Sequence, residues 1–270
     1  MSTGDGNFAA LLVYVDDIVI GSTSDQLVDN IKEYLSTQFK LKDLGIVKYF
    51  LGLEIARSPE RISVCQRKYV LDMLEEYSLL GAKPVSTPMD YNYKLQKSTK
   101  DYRLKDLTIY RQLVGKLLYL TFTRPDVCYA VQVLSQFMDK PSNDHLATAF
   151  RVLRYLKGAP GQGLLLHSQS NLQIQAYSDS DWASCPNTRK SVTGYALFLE
   201  NSMVSWKAKK QSVVARSSVE AEYRSMATTS CEIIWLKSLL AEFGICQTNA
   251  IKLYCDNQFA IYISKNPMFH

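Results

Sequence analysis

Apolar and polar positions alternate in blocks at the start of the chain, and the blocks predict a β-hairpin followed by a helix. The runs 11–15 and 18–21 are rich in β-favouring residues and flank the polar pair Asp16-Asp17, which is typical of a hairpin whose turn lies at the pair. After the hairpin, leucine and isoleucine recur every four residues, so we expect a helix over 25–39.

The following blocks predict a second hairpin and four more helices. Apolar runs at 49–57 and 62–66 flank a short turn that contains a proline, and helical spacing follows at 66–77. Residues 82–108 are mostly polar and contain two prolines, so we expect an irregular connection there. The next three helices are predicted at 109–123, 126–138 and 142–156.

A glycine-rich loop at 158–163 separates this part of the chain from one with a different pattern. We take the loop as a domain boundary, because its glycines and proline break regular structure. The apolar runs beyond it predict the order strand-strand-strand-helix-strand-helix, which is typical of an α/β domain. The strands are expected at 174–178, 192–199, 203–207 and 251–255, and the helices at 218–243 and from 257 onward.

Composition indicates a globular protein with a mild positive charge. Of 270 residues, 47% are hydrophobic and 21% are charged, which excludes a chain that is disordered throughout. Thirty-one Lys and Arg against 26 Asp and Glu give a net charge of +5, which permits a nucleic-acid partner. No apolar run approaches the roughly 18 residues of a membrane span, and no basic region precedes an apolar stretch at the N-terminus. We therefore expect neither a membrane span nor a signal peptide.

The six cysteines form no Cys-x-x-Cys pair. In a chain of this length, that spacing argues against a zinc site or a disulfide framework. We expect reduced thiols in an intracellular setting, cytoplasmic or nuclear, although the sequence does not fix the compartment.

The pair Asp16-Asp17 is the first candidate site. Two adjacent carboxylates in a tight turn repel each other unless a cation offsets their charge. Mg²⁺ and Mn²⁺ are hard cations that prefer such oxygen ligands. The alternative is a solvated acidic loop that holds no ion.

Around this pair, the sequence resembles reverse transcriptases of copia-type LTR retrotransposons. Tyr14-Val15-Asp16-Asp17 is similar to the metal-binding turn of reverse transcriptases. Further motifs resemble copia-type Pol polyproteins and follow in the same order along nearly the whole chain. They are Leu12–Gly21, Lys42–Gly45, Tyr49–Leu53, Ser86–Met89, Tyr119–Thr121, Thr123–Asp126 and Arg154–Gly158.

The resemblance implies an α+β part followed by an α/β part. Residues 1–90 would be a partial reverse-transcriptase palm with the start of the thumb, 91–160 the thumb and connection helices, and 164–270 a ribonuclease H-like domain that is truncated at its C-terminus. In this family a further metal-binding aspartate lies upstream of the turn, and only about a dozen residues precede the turn here. We therefore expect no polymerase activity from this chain alone, because two adjacent aspartates do not hold two metal ions. The rest of a retrotransposon polyprotein is an implied partner.

Three acids in the second half of the chain fall at the ends of predicted elements. Asp179 ends a strand, Glu222 lies in the first turns of a long helix, and Asp256 ends the last strand. Acids that converge from three elements would bind a hard metal ion for phosphodiester hydrolysis. In the same helix, Ser217 and Glu220 predict a capping box in which Glu220 folds back on the Ser217 backbone, so that Glu222 is free to face the sheet.

Short motifs around these acids resemble three motifs of the ribonuclease H fold. The motifs are Tyr177–Ser180, Ala221–Arg224 and Cys255–Gln258. The resemblance implies that Asp179, Glu222 and Asp256 are catalytic ligands of Mg²⁺ or Mn²⁺, with one ion activating water and the other stabilising the leaving oxygen. It also implies an RNA–DNA hybrid as the substrate. Asp181 either shares this site or faces a loop.

Two features limit this expectation. The family carries a fourth acid beyond the third motif, and the short stretch after Asp256 has no counterpart to it. Loss of a ligand to the second ion would reduce activity heavily. We therefore expect at most weak metal-dependent cleavage of RNA in RNA–DNA hybrids.

A basic segment lies between the acids of the second half. Residues 186–216 contain six Lys or Arg and one Glu, so the positive charge of the chain is concentrated there. Trp206 could offer a stacking plane beside phosphate-binding ammonium groups, or it could be buried in an exposed hairpin. The candidate nucleic-acid-binding residues are Arg189, Lys190, Trp206, Lys207, Lys209 and Lys210.

The sequence therefore predicts a remnant of a reverse transcriptase and ribonuclease H that acts on RNA–DNA hybrids. The alternatives are a non-catalytic module that binds nucleic acid and an inert relic, so whether the chain is an enzyme stays open. A cleavage assay separates the first prediction from the two alternatives.

Overall fold

A computed structural model describes residues 8–90, 95–96, 104–266 and 268. Part of the irregular connection predicted at 82–108 therefore lies outside the described residues. Those residues form a mixed α+β structure. Its elements are β1 (Ala9–Tyr14), β2 (Asp17–Ser22), α1 (Asp25–Gln38), β3 (Tyr49–Phe50), β4 (Leu53–Arg57), β5 (Arg61–Cys65), α2 (Arg67–Glu76), α3 (Leu107–Leu120), α4 (Cys128–Ser135), α5 (Asn143–Gly158), β6 (Leu164–His167), β7 (Ile174–Asp181), β8 (Val192–Leu199), β9 (Ser202–Lys210), α6 (Ser218–Glu242), β10 (Lys252–Tyr254) and α7 (Gln258–Lys265).

The first hairpin forms as the apolar pattern predicts, but its turn is shifted by one residue. β1 and β2 pair antiparallel with Tyr14 opposite Asp17, so Val15 and Asp16 form the turn and Asp17 begins β2. Val15 adopts a φ of 50°, which lies in the left-handed region that this kind of tight turn requires. The prediction that Asp16-Asp17 forms the turn is therefore wrong by one position.

A second, four-stranded sheet has the order β3-β4-β5-β6, and all its pairs are antiparallel. The single strand predicted over 49–57 divides into two, because Leu51 and Gly52 have φ values of 48° and 73° and turn the chain between β3 and β4. β6 follows the predicted boundary loop and pairs with β5. Gly163 passes so close to β5 that a Cβ there would lie 2.2 Å from the carbonyl oxygen of Val64.

Helices α2, α3, α4 and α5 pack around one apolar core. Val70, Met73 and Leu74 of α2 are buried, as their spacing predicts, and leucines of α3 and α5 meet them. The helix predicted at 126–138 is shorter, since a 3-10 turn at Pro125–Val127 precedes α4. No helix within the described ranges combines the length and apolar character needed to cross a membrane.

The third sheet has the order β10-β7-β8-β9, with β10 parallel to β7 and the other pairs antiparallel. From Ile174 onward, the predicted order of three strands, a helix, a strand and a helix is confirmed, whereas β6, which follows the boundary loop and joins the second sheet, was not predicted. Helix α6 covers one face of the sheet, where Ile233 and Leu236 pack with Ile174 and Leu197. Asp179 lies inside β7 rather than at its end, because the strand continues to Asp181.

Candidate metal centre

Glu222 is held between helix α6 and strand β7. Ser217 begins the helix, because its side chain accepts a hydrogen bond from the N–H of Glu220 at 3.1 Å. The Glu222 side chain then faces the sheet, where Oε1 accepts a hydrogen bond from the Ser180 N–H at 3.0 Å. Glu222 is only 5% exposed, so its carboxylate lies in a site largely closed to solvent.

Glu220 points away from this site, as predicted, but it caps a different residue. Its Oε2 accepts a hydrogen bond from the N–H of Arg216 at 2.9 Å instead of folding back on Ser217. Its Oε1 pairs with the guanidinium of Arg224, at 3.1 Å from Nε and 2.9 Å from Nη2. The two glutamates therefore have separate roles: Glu220 stabilises the start of the helix, and Glu222 is left to the sheet.

Strand β10 brings two more side chains to Glu222. Because β10 runs parallel to β7 with Tyr254 opposite Tyr177, Cys255 and Asp256 follow at the end of the pair, near the start of α6. One ligand atom from each of Glu222, Cys255 and Asp256 lies within 4.8 Å of the other two. Among the residues that the structure describes, no other group of three or more His, Cys, Asp or Glu side chains is so close.

The electrostatics of Glu222 place Asp179 near the same group. The pKa of Glu222 is raised to about 7, first by burial and then by the negative charges of Asp179 and Asp256, against the hydrogen bond from the Ser180 N–H, which lowers it. Burial also raises the pKa of the Cys255 thiol, and the charges of Glu222 and Asp256 add to that effect. The carboxylates of Asp179, Glu222 and Asp256 are therefore close enough to affect one another electrostatically. Asp179 is not part of the group whose ligand atoms lie within 4.8 Å of one another.

Asp179 and Asp181 lie on the same exposed face of β7, but they face different neighbours. Asp179 stands opposite Gly194 on β8 and lines a cavity of about 500 Å³ together with Asp256. The Asp181 carboxylate lies 3.5 Å from the hydroxyl of Tyr129 on α4. Asp181 thus contacts the helical part of the molecule, whereas the sequence left open a shared site or a loop.

Sequence reasoning overlooked Cys255. The spacing of the six cysteines along the chain predicts no metal site among them. The thiol nevertheless lies 3.8 Å from Oε2 of Glu222, a distance between Sγ and a carboxylate oxygen across two elements. The only sequence signal was the position of Cys255 directly before Asp256 at the end of a strand.

Asp16 and Asp17 are both exposed at the tip of the first hairpin. No third His, Cys, Asp or Glu joins them in a metal-sized group within the described residues. Their role as metal ligands stays a prediction that rests on the resemblance.

In the basic segment at 186–216, some of the positively charged side chains are exposed, and others donate hydrogen bonds within the protein. Lys207 and Lys209 of β9 are exposed, and Arg189 is exposed in the loop before β8. Lys190 donates to the carbonyl oxygen of Ser212 at 2.5 Å. The ammonium group of Lys210 donates to Oε1 of Gln136 at 2.7 Å.

Trp206 is half-buried between the third sheet and the helices. Its indole N–H donates a hydrogen bond to the carbonyl oxygen of Thr121, directly after α3, at 3.0 Å. The ring is thus held against the helical part of the molecule, and the exposed side chains of Lys207 and Lys209 are the phosphate-binding candidates on β9.

Comparison with known proteins identifies the family. The reverse transcriptase (RNA-dependent DNA polymerase) family matches residues 2–91. A retrovirus-related Pol polyprotein from transposon RE1 of Arabidopsis thaliana is 46% identical over 96% of the chain, and an uncharacterized mitochondrial protein of the same plant is 44% identical over 83% of the chain and 93% of its own length. The chain belongs to the copia-type retrotransposon Pol polyprotein family.

The copia-type chain spans 18% of the length of the RE1 polyprotein. It is also 37% identical, over 98% of its length, to the retrovirus-related Pol polyprotein from transposon TNT 1-94 of Nicotiana tabacum, of which it spans 20%. No solved structure matches the copia-type chain.

Proposed function

We propose that residues 164–270 of this copia-type chain are a ribonuclease H-like domain that cleaves the RNA strand of RNA–DNA hybrids with Mg²⁺ or Mn²⁺. The observation that carries the proposal is the convergence of Asp179, Glu222 and Asp256 from a strand, a helix and a strand end. Ends of parallel strands are where α/β sheets gather their sites. The β7–β10 pair is parallel, and both aspartates belong to it or follow it.

The side chains at this site fit a hard divalent cation. Carboxylate oxygens are the ligands that Mg²⁺ and Mn²⁺ prefer. The raised pKa of Glu222 reflects burial together with the negative charge of Asp179 and Asp256, and a bound cation would offset that charge. When bound there, the cation supplies a Lewis acid that polarises the phosphate and lowers the pKa of the attacking water.

The protein positions these side chains before any substrate arrives. The Ser180 N–H orients the Glu222 carboxylate. The Ser225 hydroxyl donates a hydrogen bond to the carbonyl oxygen of Asp179 at 2.7 Å. This bond joins α6 to β7 at one of the proposed metal ligands. Fixed ligands of this kind reduce the reorganisation needed during reaction. Asp179, Glu222 and Asp256 would thus hold the cation.

Exposed cations on β9, two strands from β7 in the same sheet, support a nucleic-acid partner. Lys207 and Lys209 present two ammonium groups that phosphates could approach. Their presence also supports the second candidate function, a non-catalytic module that binds nucleic acid. Both functions have the lysines bind nucleic acid. In the first, the metal site formed by the carboxylates also cleaves it, and in the second it is not cleaved.

We further propose that residues 1–90 correspond to part of the reverse-transcriptase palm with the start of the thumb, and 91–160 to thumb and connection helices. The family match over residues 2–91 supports the first assignment. Polymerase chemistry needs ligands for two ions, and Asp16 and Asp17 have no third acid near them within the described residues. We therefore propose that this chain alone does not polymerise.

A labelled RNA–DNA hybrid tests the nuclease proposal. The purified full chain is incubated with Mg²⁺ and, separately, Mn²⁺, beside Asp179→Asn and Glu222→Gln. Glu220→Gln is the matched control, because it changes the same residue type two positions away from Glu222. We expect cleavage by the wild type and Glu220→Gln, and none by the other two variants. Absence of cleavage by a folded wild-type chain would contradict the proposal.

Hybrid affinity tests the binding module. Lys207→Gln with Lys209→Gln should weaken hybrid binding and reduce the slope of log affinity against log salt by about 2, one for each phosphate contact. Lys237→Gln, on the far part of α6, is the matched control and should leave the slope unchanged. Cleavage-dead Asp179→Asn that binds the hybrid normally would separate binding from catalysis.

A further inference from the structure

Cys255 adds a sulfur atom to a cluster that otherwise offers only oxygen. Its Sγ, together with one carboxylate oxygen each from Glu222 and Asp256, lies in a group whose members are all within 4.8 Å of one another. Mg²⁺ takes oxygen ligands, whereas thiolates select softer cations such as Zn²⁺. The sulfur therefore changes which cation this cluster would favour.

A second, independent feature, a buried polar atom without a partner, lies beside the cluster. The hydroxyl oxygen of Ser178 has no hydrogen-bond partner within the described structure, and the residue is only 6% exposed. Buried polar atoms without a partner are rare, and an ion or an ordered water is a usual explanation. Since Tyr254 stands opposite Tyr177 in the parallel pair, Cys255 follows beside Ser178, and both line the same cavity.

We propose that Cys255, Glu222 and Asp256 form a binding site for a thiophilic divalent cation of the Zn²⁺ class. Three protein ligands with one open position is a common arrangement for Zn²⁺. The thiol of Cys255 gives up its proton to solvent and binds as a thiolate. The site shares Glu222 and Asp256 with the nuclease centre proposed above but does not depend on its activity. Zn²⁺ bound there would displace Mg²⁺ and block cleavage.

Co²⁺ serves as the spectroscopic probe, because thiolate coordination to Co²⁺ produces a charge-transfer absorption band in the near ultraviolet. The reduced, metal-free full chain is titrated with Co²⁺ and, by calorimetry, with Zn²⁺. Cys255→Ser removes the thiol, and Cys231→Ser is the matched control, since Cys231 is exposed on α6 and outside the cluster. We expect the band in the wild type and Cys231→Ser, and its loss in Cys255→Ser. Zn²⁺ affinity should fall in Cys255→Ser by at least the roughly tenfold that loss of an outer-shell partner costs.

A band that is absent from the wild type, or that persists in Cys255→Ser, overturns the proposal. Circular dichroism confirms that each variant folds. If Cys255→Ser does not fold, Asp256→Asn replaces it, because Asp256 is exposed and the exchange conserves size. Unchanged Zn²⁺ affinity in that variant would likewise overturn the site. A chain that shows the Cys255-dependent band but cleaves nothing in Mg²⁺ contradicts only the nuclease proposal, and the reverse result contradicts only this one.

Discussion

The indole N–H of Trp206 donates to the carbonyl oxygen of Thr121, at a distance of 3.0 Å. This hydrogen bond joins strand β9 to the chain directly after helix α3, two elements 85 residues apart in the sequence. Carbonyl groups at the C-terminal end of a helix have no partner within the helix, and the Trp206 N–H supplies one for Thr121. The half-buried indole ring packs beside this carbonyl.

Replacing this donor should weaken the contact between the sheet and the helices. Trp206→Phe keeps an aromatic ring but leaves the Thr121 carbonyl only the weak thiol donor of Cys128, at 3.9 Å, so we expect a loss of about 1–3 kcal/mol in the free energy of unfolding. Urea unfolding followed by circular dichroism measures it. Trp235→Phe, at an exposed position of α6, is the control and should change stability by less than about 0.5 kcal/mol. Equal stability of the two variants would contradict this prediction.

Asp126 should carry a large share of the stability of the helical core. Its carboxylate pairs with Nη2 of Arg124 at 2.7 Å and accepts the Tyr155 hydroxyl at 2.8 Å, while Arg124 is only 1% exposed. Asp126→Ala leaves the Arg124 charge buried and unpaired, which should cost about 3–5 kcal/mol of unfolding free energy. Chemical unfolding measures the loss, and Asp139→Ala, at an exposed position, is the control.

The same ion pair predicts a loss of stability in acid. Burial alone would raise the pKa of Asp126, but the Arg124 guanidinium and the Tyr155 hydroxyl outweigh it and hold the pKa below its ordinary value of 3.8. The stabilisation is therefore complete above that value and disappears as pH falls through the lower folded pKa. Unfolding measured from pH 6 to pH 2 should show wild type and Asp126→Asn converging at the acid end. A constant difference between them would contradict the assignment.

Glu222 predicts the opposite pH dependence. Because its pKa is raised to about 7 in the folded chain from an ordinary 4.5, the folded state holds a proton that the unfolded state has lost. Stability should therefore be highest below pH 4.5 and fall as pH rises to about 7. Without metal, Glu222→Gln should be more stable than the wild type at pH 8, by at most about 3 kcal/mol, and this gain should vanish near pH 4. Thermal unfolding in a chelator measures both values.

Glu220→Gln is the matched control for this prediction. The pKa of Glu220 is lowered by hydrogen bonds from the Arg216 N–H and the Arg224 guanidinium. Its neutral variant should therefore destabilise the chain at pH 8 rather than stabilise it. A change in stability of the same sign in Glu220→Gln and Glu222→Gln at pH 8 would show that burial of the Glu222 carboxylate has no electrostatic cost.

Two glycines should respond in opposite directions to alanine. A Cβ at Gly163 would lie 2.2 Å from the carbonyl oxygen of Val64, so Gly163→Ala must move β6 away from β5 and should cost about 1–3 kcal/mol. Gly115 is exposed in the middle of α3 with no atom near its Cβ position, so Gly115→Ala should stabilise by about 0.5–1 kcal/mol. Thermal unfolding of both variants checks the pair. A stable Gly163→Ala chain would mean that the two strands do not approach so closely.

Local periodicity was enough to predict most elements of this chain. Helices α1, α2, α3, α5 and α6 lie within a few residues of their predicted bounds, because a helix is encoded by neighbours three and four positions apart. The break of the strand predicted at 49–57 escaped this reasoning. The turn at Leu51 and Gly52 carries no polar cluster or proline, so nothing in the hydrophobic pattern marked it.

The sequence by itself determined the helices, most of the strands and the acids Asp179, Glu222 and Asp256 at or near the ends of these elements, including the separate roles of Glu220 and Glu222 within one helix. Only the tertiary structure decided which of those ends meet. The parallel pairing of β10 with β7 brings Cys255 to Glu222, and the contact of β9 with the helices leaves Trp206 half-buried. β6 likewise joins a sheet whose other strands lie about a hundred residues earlier. Such pairings depend on how the apolar faces of strands and helices pack across the whole molecule. The pattern of neighbouring residues therefore does not predict them.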